Sequence, residues 1–294
     1  MKKLSIIILL ILSLLLIGCS DENGDGGKDI NGTGNTNTGN EGLEDAGKLK
    51  LYFFELGKAD AFIIYNNKTT ILIDTGAKGD GKDILQYMEN NNITKIDYMF
   101  ITHFDQDHVG GANKVLGNTK VGQIYTSNYP KESEEYTSFM SRAEEKKIPN
   151  TVLRENLTFE ENGIKVEVNV PVKDLYEVDP SNNSSLIIRI TYGENSFLFM
   201  GDAEEERIRE YLATTPEPCD VLKVPYHGNY MGCLSELVDA VKPKYAVITS
   251  SKEEKEADET KDLLSSKNVD VKRTRKGSVF MQSDGKEIVV SQGA

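Results

Sequence analysis

Hydrophobic positions follow two alternating periods from Lys48 onward. Short alternating or β-branched runs predict strands at 50–55, 61–65, 70–74, 98–101, 122–126, 166–170, 185–192, 196–200, 221–224, 245–249, 269–272, 278–281 and 287–290. Runs with helical spacing predict helices at 82–90, 132–147, 204–212, 234–241 and 259–266. Asn66-Asn67-Lys68 reads as a hairpin-like turn between two of the strands. Such interleaving predicts an α/β or α+β body over residues 48–294. What precedes it differs in kind. Met1-Lys2-Lys3 leads into an apolar run from Leu4 to Ile17, broken only by serines and ended by Gly18-Cys19, which reads as an export signal over residues 1–19. Residues 20–47 hold almost nothing apolar and are dominated by Gly, Asn, Asp and Thr, the composition of a flexible tether.

Leu16-Ile17-Gly18-Cys19 resembles a bacterial lipobox, in which cleavage leaves a lipidated cysteine at the mature N-terminus. That resemblance implies an extracytoplasmic protein, lipid-anchored through Cys19 to the bacterial cell membrane. A tether between anchor and body then makes sense for a protein that works near a membrane surface. Charge adds a constraint. The formal net charge is −13, which disfavours avid nucleic-acid binding unless a local basic patch or bound divalent ions reverse the field at a site. Beyond Cys19 only Cys219 and Cys233 occur. A disulfide between them is open, and both read as structural rather than metal-binding.

Candidate chemistry gathers around three histidines, His103, His108 and His227, each directly after an apolar strand-like run. Around the first two the chain reads Thr102-His103-Phe104-Asp105-Gln106-Asp107-His108-Val109-Gly110-Gly111. Two imidazoles and two carboxylates in six residues can converge from a loop or a first helical turn, and this mixed donor set suits zinc, manganese or iron. Two further strand ends offer ligands in the same context, Gly201-Asp202 and Pro225-Tyr226-His227-Gly228.

Together with Leu56-Gly57-Lys58-Ala59-Asp60-Ala61, Leu72-Ile73-Asp74-Thr75-Gly76 and Asn183-Ser184-Ser185-Leu186, these landmarks resemble the metallo-β-lactamase superfamily, and within it the soluble domain of ComEC-type DNA-uptake proteins. The resemblance implies an α+β fold, an αββα sandwich of two mixed sheets flanked by helices, with two divalent metal ions (Zn or Mn) in a groove at one edge. Carried over by position, His103 and Asp105 hold one ion, Asp107, His108 and His227 hold the other, and Asp202 bridges them. Asp74, Asp60 and Asn183 would support the metal-holding loops from behind the ligands without binding metal themselves. Most members place a histidine where this chain has residues 183–185, so the first ion lacks one strong ligand.

Two ions a few ångströms apart lower the pKa of a shared water and can clamp both oxygens of a phosphodiester, with the resulting hydroxide as nucleophile. Asp107 or Asp105 would accept its proton, and Tyr226 or Lys223 would stabilise charge on the substrate. The expected function is therefore an extracytoplasmic hydrolase of phosphodiesters, nucleic acid among them. Two alternatives stand beside it: a metallohydrolase of esters, lactones or β-lactams, and a non-catalytic surface binding lipoprotein that retains the fold.

Overall fold

The structure is a computed structural model, and it describes residues 47–293. The signal, Cys19 and nearly all of the tether lie outside the described residues.

Fifteen strands among the described residues form two sheets. The first has eight strands: β1 (Leu49–Phe53), β2 (Phe62–Tyr65), β3 (Thr70–Ile73), β4 (Lys95–Ile101), β5 (Lys120–Thr126), β6 (Asn150–Val152), β14 (Val279–Ser283) and β15 (Ile288–Gln292), in the order β15-β14-β1-β2-β3-β4-β5-β6. The second has seven: β7 (Leu157–Glu161), β8 (Ile164–Asn169), β9 (Ile187–Tyr192), β10 (Asn195–Phe199), β11 (Val221–Lys223), β12 (Tyr245–Ile248) and β13 (Asp270–Arg273), in the order β13-β12-β11-β10-β9-β8-β7. Both are mixed. β3 to β6 run parallel in one sheet and β10 to β13 in the other, with antiparallel pairing elsewhere.

The two-residue period explains how the sheets stack. Leu49, Leu51 and Phe53 of β1, Phe62 and Ile64 of β2, and Phe197 and Phe199 of β10 all point into one core between the sheets. The alternate residues point outward under helices. Ile63, Leu72, Met99 and Ile101 pack below α1 (Gly81–Asn90), α3 (Ala112–Asn118) and α4 (Glu134–Glu145). Leu198, Leu222, Ala246 and Ile248 pack below α6 (Glu205–Ala213), α7 (Leu234–Val241) and α8 (Asp258–Ser266). The short helices α2 (Gln106–Val109) and α5 (Pro180–Asn183) lie on the loops after β4 and before β9. The layers are helix, sheet, sheet, helix, as the resemblance implied.

Asn66 closes the β2–β3 turn by accepting from the N–H groups of Lys68 at 2.9 Å and Thr69 at 2.8 Å. Among the described residues, no helix is long and apolar enough to cross a membrane.

Candidate metal centre

Parallel strands place side chains from their carboxyl ends into a shared crevice. Here β3 ends at Asp74, β4 at Thr102-His103, β10 at Gly201-Asp202, β11 at Pro225-Tyr226-His227 and β12 at Thr249. The loops are stitched to one another through backbone. Thr75 N–H donates to the His108 carbonyl at 2.7 Å, Asp60 N–H to that of Asp107 at 3.0 Å, and Gly76 N–H to that of Asp60 at 2.8 Å. Gly111 permits this closeness, since a Cβ there would stand 2.1 Å from the Thr75 carbonyl oxygen. Asp74, Tyr226 and His227 all adopt positive φ without being glycine, at 55°, 48° and 54°. Such strain is held only where surrounding structure over-determines it, and it collects at functional sites.

The donors of Asp107, His108, Asp202 and His227 all lie within 4.8 Å of one another. Asp202 stands between the two histidines, with Oδ2 2.9 Å from His227 Nε2 and Oδ1 3.4 Å from His108 Nε2. Each imidazole is aimed by its other nitrogen: His108 Nδ1 lies 2.9 Å from Asp74 Oδ2, and His227 Nδ1 lies 2.9 Å from Thr249 Oγ1. His103 Nδ1 sits 3.2 Å from Thr102 Oγ1 and 3.3 Å from Ser185 Oγ, and its ring is 4.1 Å from that of His108. Asp74 in turn is fixed by Thr102, whose N–H and hydroxyl both donate to it at 2.8 and 2.7 Å.

Two observations test whether a cation fits. The Nε2 atoms of His103, His108 and His227 and Oδ1 of Asp202 are buried without a hydrogen bond of normal geometry, although native interiors leave few such atoms orphaned. Charge points the same way. Asp60, Asp74 and Asp202 are buried and Asp107 half-buried beside a single buried lysine, Lys223. Burial alone lowers histidine pKa and raises that of aspartate. It does lower His103, helped by His108. At His108 and His227 burial is outweighed by Asp202, with Asp74 helping at one ring and Asp107 at the other, so both rise. Against burial, His227 pulls Asp107 down by hydrogen bonding, and His227 and His108 pull Asp202 down by their charge. The protonated imidazoles thus offset part of the carboxylates' negative charge. Divalent cations fit this donor set.

Other expected residues fall elsewhere. Asp105 stands outside the four-donor group: its carboxylate accepts from Lys131 Nζ at 2.6 Å and from the Ser181 hydroxyl. Lys223 does not face a substrate. It is fully buried behind the ligands, paired with Asp60, and donates to the Gly201 carbonyl at 3.1 Å. Asn183 serves α6, its Oδ1 accepting from the N–H groups of Glu204 at 3.2 Å and Arg207 at 3.1 Å. Tyr226 is half-buried, with its N–H on the Gly201 carbonyl at 3.2 Å and its ring 5.7 Å from Lys58 Nζ. Cys219 and Cys233 are free and buried, and burial pushes both thiols up to about 12.

Sequence reading missed the support beneath His227. Ala257 N–H donates to the Gly228 carbonyl at 3.1 Å, and the neighbouring Glu256 carboxylate takes Arg273 Nε at 2.5 Å and both terminal nitrogens of Arg275. Burial raises the Glu256 pKa, but hydrogen bonds from Arg275 and Arg273 outweigh it and hold the group at about 2. A folded-state pKa below the unfolded one adds stability above the ordinary glutamate range and loses it as pH falls toward 2. Wild-type melting temperature should therefore fall between about pH 5 and 2 more steeply than that of Glu256→Gln. The variant should already be weaker at neutral pH by roughly 2 to 4 kcal/mol. Parallel thermal melts across pH check this, and equal slopes would refute it.

A two-sheet sandwich with histidines and aspartates gathered at its strand ends defines the class of metal-dependent hydrolases built on this fold. The sequence pattern of the metallo-beta-lactamase superfamily matches residues 55–250, and the chain belongs to that superfamily. The chain is 29% identical over 239 residues to ComE operon protein 3 of Bacillus subtilis, covering 71% of this chain and 29% of that one. Similarity to recombination protein 2 of Haemophilus influenzae is 27% over 203 residues, covering 67% and 24%. The chain therefore spans less than a third of either relative. Two solved structures share the fold at a TM-score of 0.52. One is the metallo-beta-lactamase fold protein YhfI from Bacillus subtilis, at 10% identity over 76% of this chain and 96% of that one. The other is Igni18, a metallo hydrolase from Ignicoccus hospitalis, at 15% identity over 84% and 100%.

Proposed function

We propose that the protein is a phosphodiester hydrolase with a dinuclear metal centre, held outside the cytoplasmic membrane by a lipid on Cys19, with nucleic acid among its candidate substrates. The observation that carries this reading is the convergence of Asp107, His108, Asp202 and His227 from three separate strand ends. It is supported by similarity to ComE operon protein 3 and by a cleft of about 600 Å³ beside Asp105, lined among others by Tyr129, Lys131, Asp179 and Ser181.

His108, His227, Asp107 and Asp202 would hold one ion, and His103 and Asp105 the other, with Asp202 shared. When bound, zinc or manganese supplies an activated water and neutralises charge on the attacking and leaving oxygens. The chain's own residues do the rest. Asp74 and Thr249 aim the imidazoles through their Nδ1 atoms, and the Thr102–Asp74 bonds keep Asp74 in place. Asp107 is about a third exposed while Asp202 is almost fully buried, so of the two carboxylates in the four-donor group it is the one that solvent and substrate can reach, and it would be the group to take a proton there.

The test is a panel of generic phosphodiester, ester, lactone and nitrocefin substrates, run with manganese and zinc in parallel. Phosphodiester cleavage should dominate and fall about a hundredfold or more in Asp107→Ala. Unchanged phosphodiesterase activity in that variant would refute the mechanism. Nitrocefin cleavage without phosphodiesterase activity would favour the ester and lactam reading, and a folded chain that binds no divalent metal would favour a non-catalytic binding protein.

A further inference from the structure

The two ion positions are built unequally. Asp107, His108, Asp202 and His227 present four donors within 4.8 Å of one another, three of them on fully or almost fully buried residues. The other position has one imidazole nitrogen, His103 Nε2, buried and unpartnered. Its own carboxylate, Asp105, is already engaged. Lys131, between β5 and α4, brings its ammonium to Asp105 Oδ1 at 2.6 Å, and the Ser181 hydroxyl donates to the same oxygen. The segment before β9 turns several of its polar atoms to other uses. Asn183 Oδ1 caps α6, Asn182 Nδ2 donates to Glu204 at 2.7 Å, and Ser185 Oγ lies beside the His103 Nδ1 atom.

We infer that Lys131 is a resident counter-ion for the His103–Asp105 position, so that one divalent ion binds tightly at the four-donor group and the second binds only by displacing this ammonium from Asp105. The inference rests on the metallohydrolase reading and adds a specific property to it. Both members of the pair are partly exposed, Lys131 at 35% and Asp105 at 27% of the side chain. Water can therefore take up the ammonium once it leaves, and exchange with a metal ion is open. A lysine is a compact point charge on a flexible stem, suited to such withdrawal. Attraction in this setting is modest because solvent screens it, so the effect on second-ion affinity is a graded one and not a block.

Titration calorimetry and elemental analysis of the chelator-treated full chain with Mn²⁺ alone test this without reference to activity. Wild type should take one ion tightly and a second at least about tenfold more weakly, a difference of about 1.4 kcal/mol. In Lys131→Met the second affinity should rise by about tenfold, while the first stays unchanged. Lys131→Arg should keep the wild-type inequality, because it keeps the charge. Two equivalent ions in wild type, or a second affinity indifferent to Lys131→Met, would overturn the inference and leave the metallohydrolase reading intact. A folded wild type that binds no Mn²⁺ would overturn both.

Discussion

Asp202→Asn is expected to lower hydrolysis by about a thousandfold or more, equivalent to about 4 kcal/mol of transition-state stabilisation, while the melting temperature moves by only a few degrees. The geometry forces these two expectations apart. Asp202 touches both His108 and His227 through different oxygens, at 3.4 and 2.9 Å, closer to each Nε2 than Asp107 at 4.0 and 3.4 Å, so it is the carboxylate best placed to join ligands from the two sheets. An amide keeps its volume but loses the charge and one acceptor face. Stability should survive because Lys223 remains paired with Asp60, and because His108 and His227, whose charged forms Asp202 favours, can give up a proton once that charge is gone. Metal content, melting temperature and phosphodiesterase rate measured on one preparation decide the matter. A variant with full activity and full metal content would show that the cluster is not the reaction centre.

What was legible in the sequence follows from which signals are local. Strands buried on both faces, by the second sheet on one side and helices on the other, such as Phe62–Tyr65 and Thr70–Ile73, announce themselves as apolar runs. Their predicted spans differ from the observed ones by a residue at one end. Asn150–Val152 was missed because it is a three-residue edge strand with two exposed positions. Leu157–Glu161 shows the expected alternation but only half-buries its apolar residues at the rim of the second sheet. The ligand loop was readable because its donors crowd into six residues and the chain has only three histidines to place. Partners joined by tertiary contact were not readable. Arg207, fully buried with Nε on the Ser185 carbonyl at 3.0 Å and Nη2 on that of Asn169 at 2.7 Å, looks in sequence like any charged residue of a surface helix. Lys131 likewise carries no local mark of its place on Asp105.

Lys223 shows the cost of reading a cation next to a histidine motif as a substrate contact. In the fold its stem runs through the core at the end of β11, its ammonium meets Asp60, and none of its surface is exposed. Burial pulls its pKa down, but Asp60 and then Asp202 outweigh this and leave it charged. Lys223→Met should therefore cost about 3 to 5 kcal/mol, because it strands Asp60 as an uncompensated buried charge. In a body of this size that amounts to a melting temperature lower by roughly 10 °C. Asp60→Asn in the same background should recover part of the loss, since a neutral amide no longer needs the ammonium. The Michaelis constant of the folded Lys223→Met fraction should stay near the wild-type value, because the ammonium never reaches the cleft. A variant that melts like wild type but binds substrate far more weakly would return Lys223 to the substrate-facing role and remove it from the core.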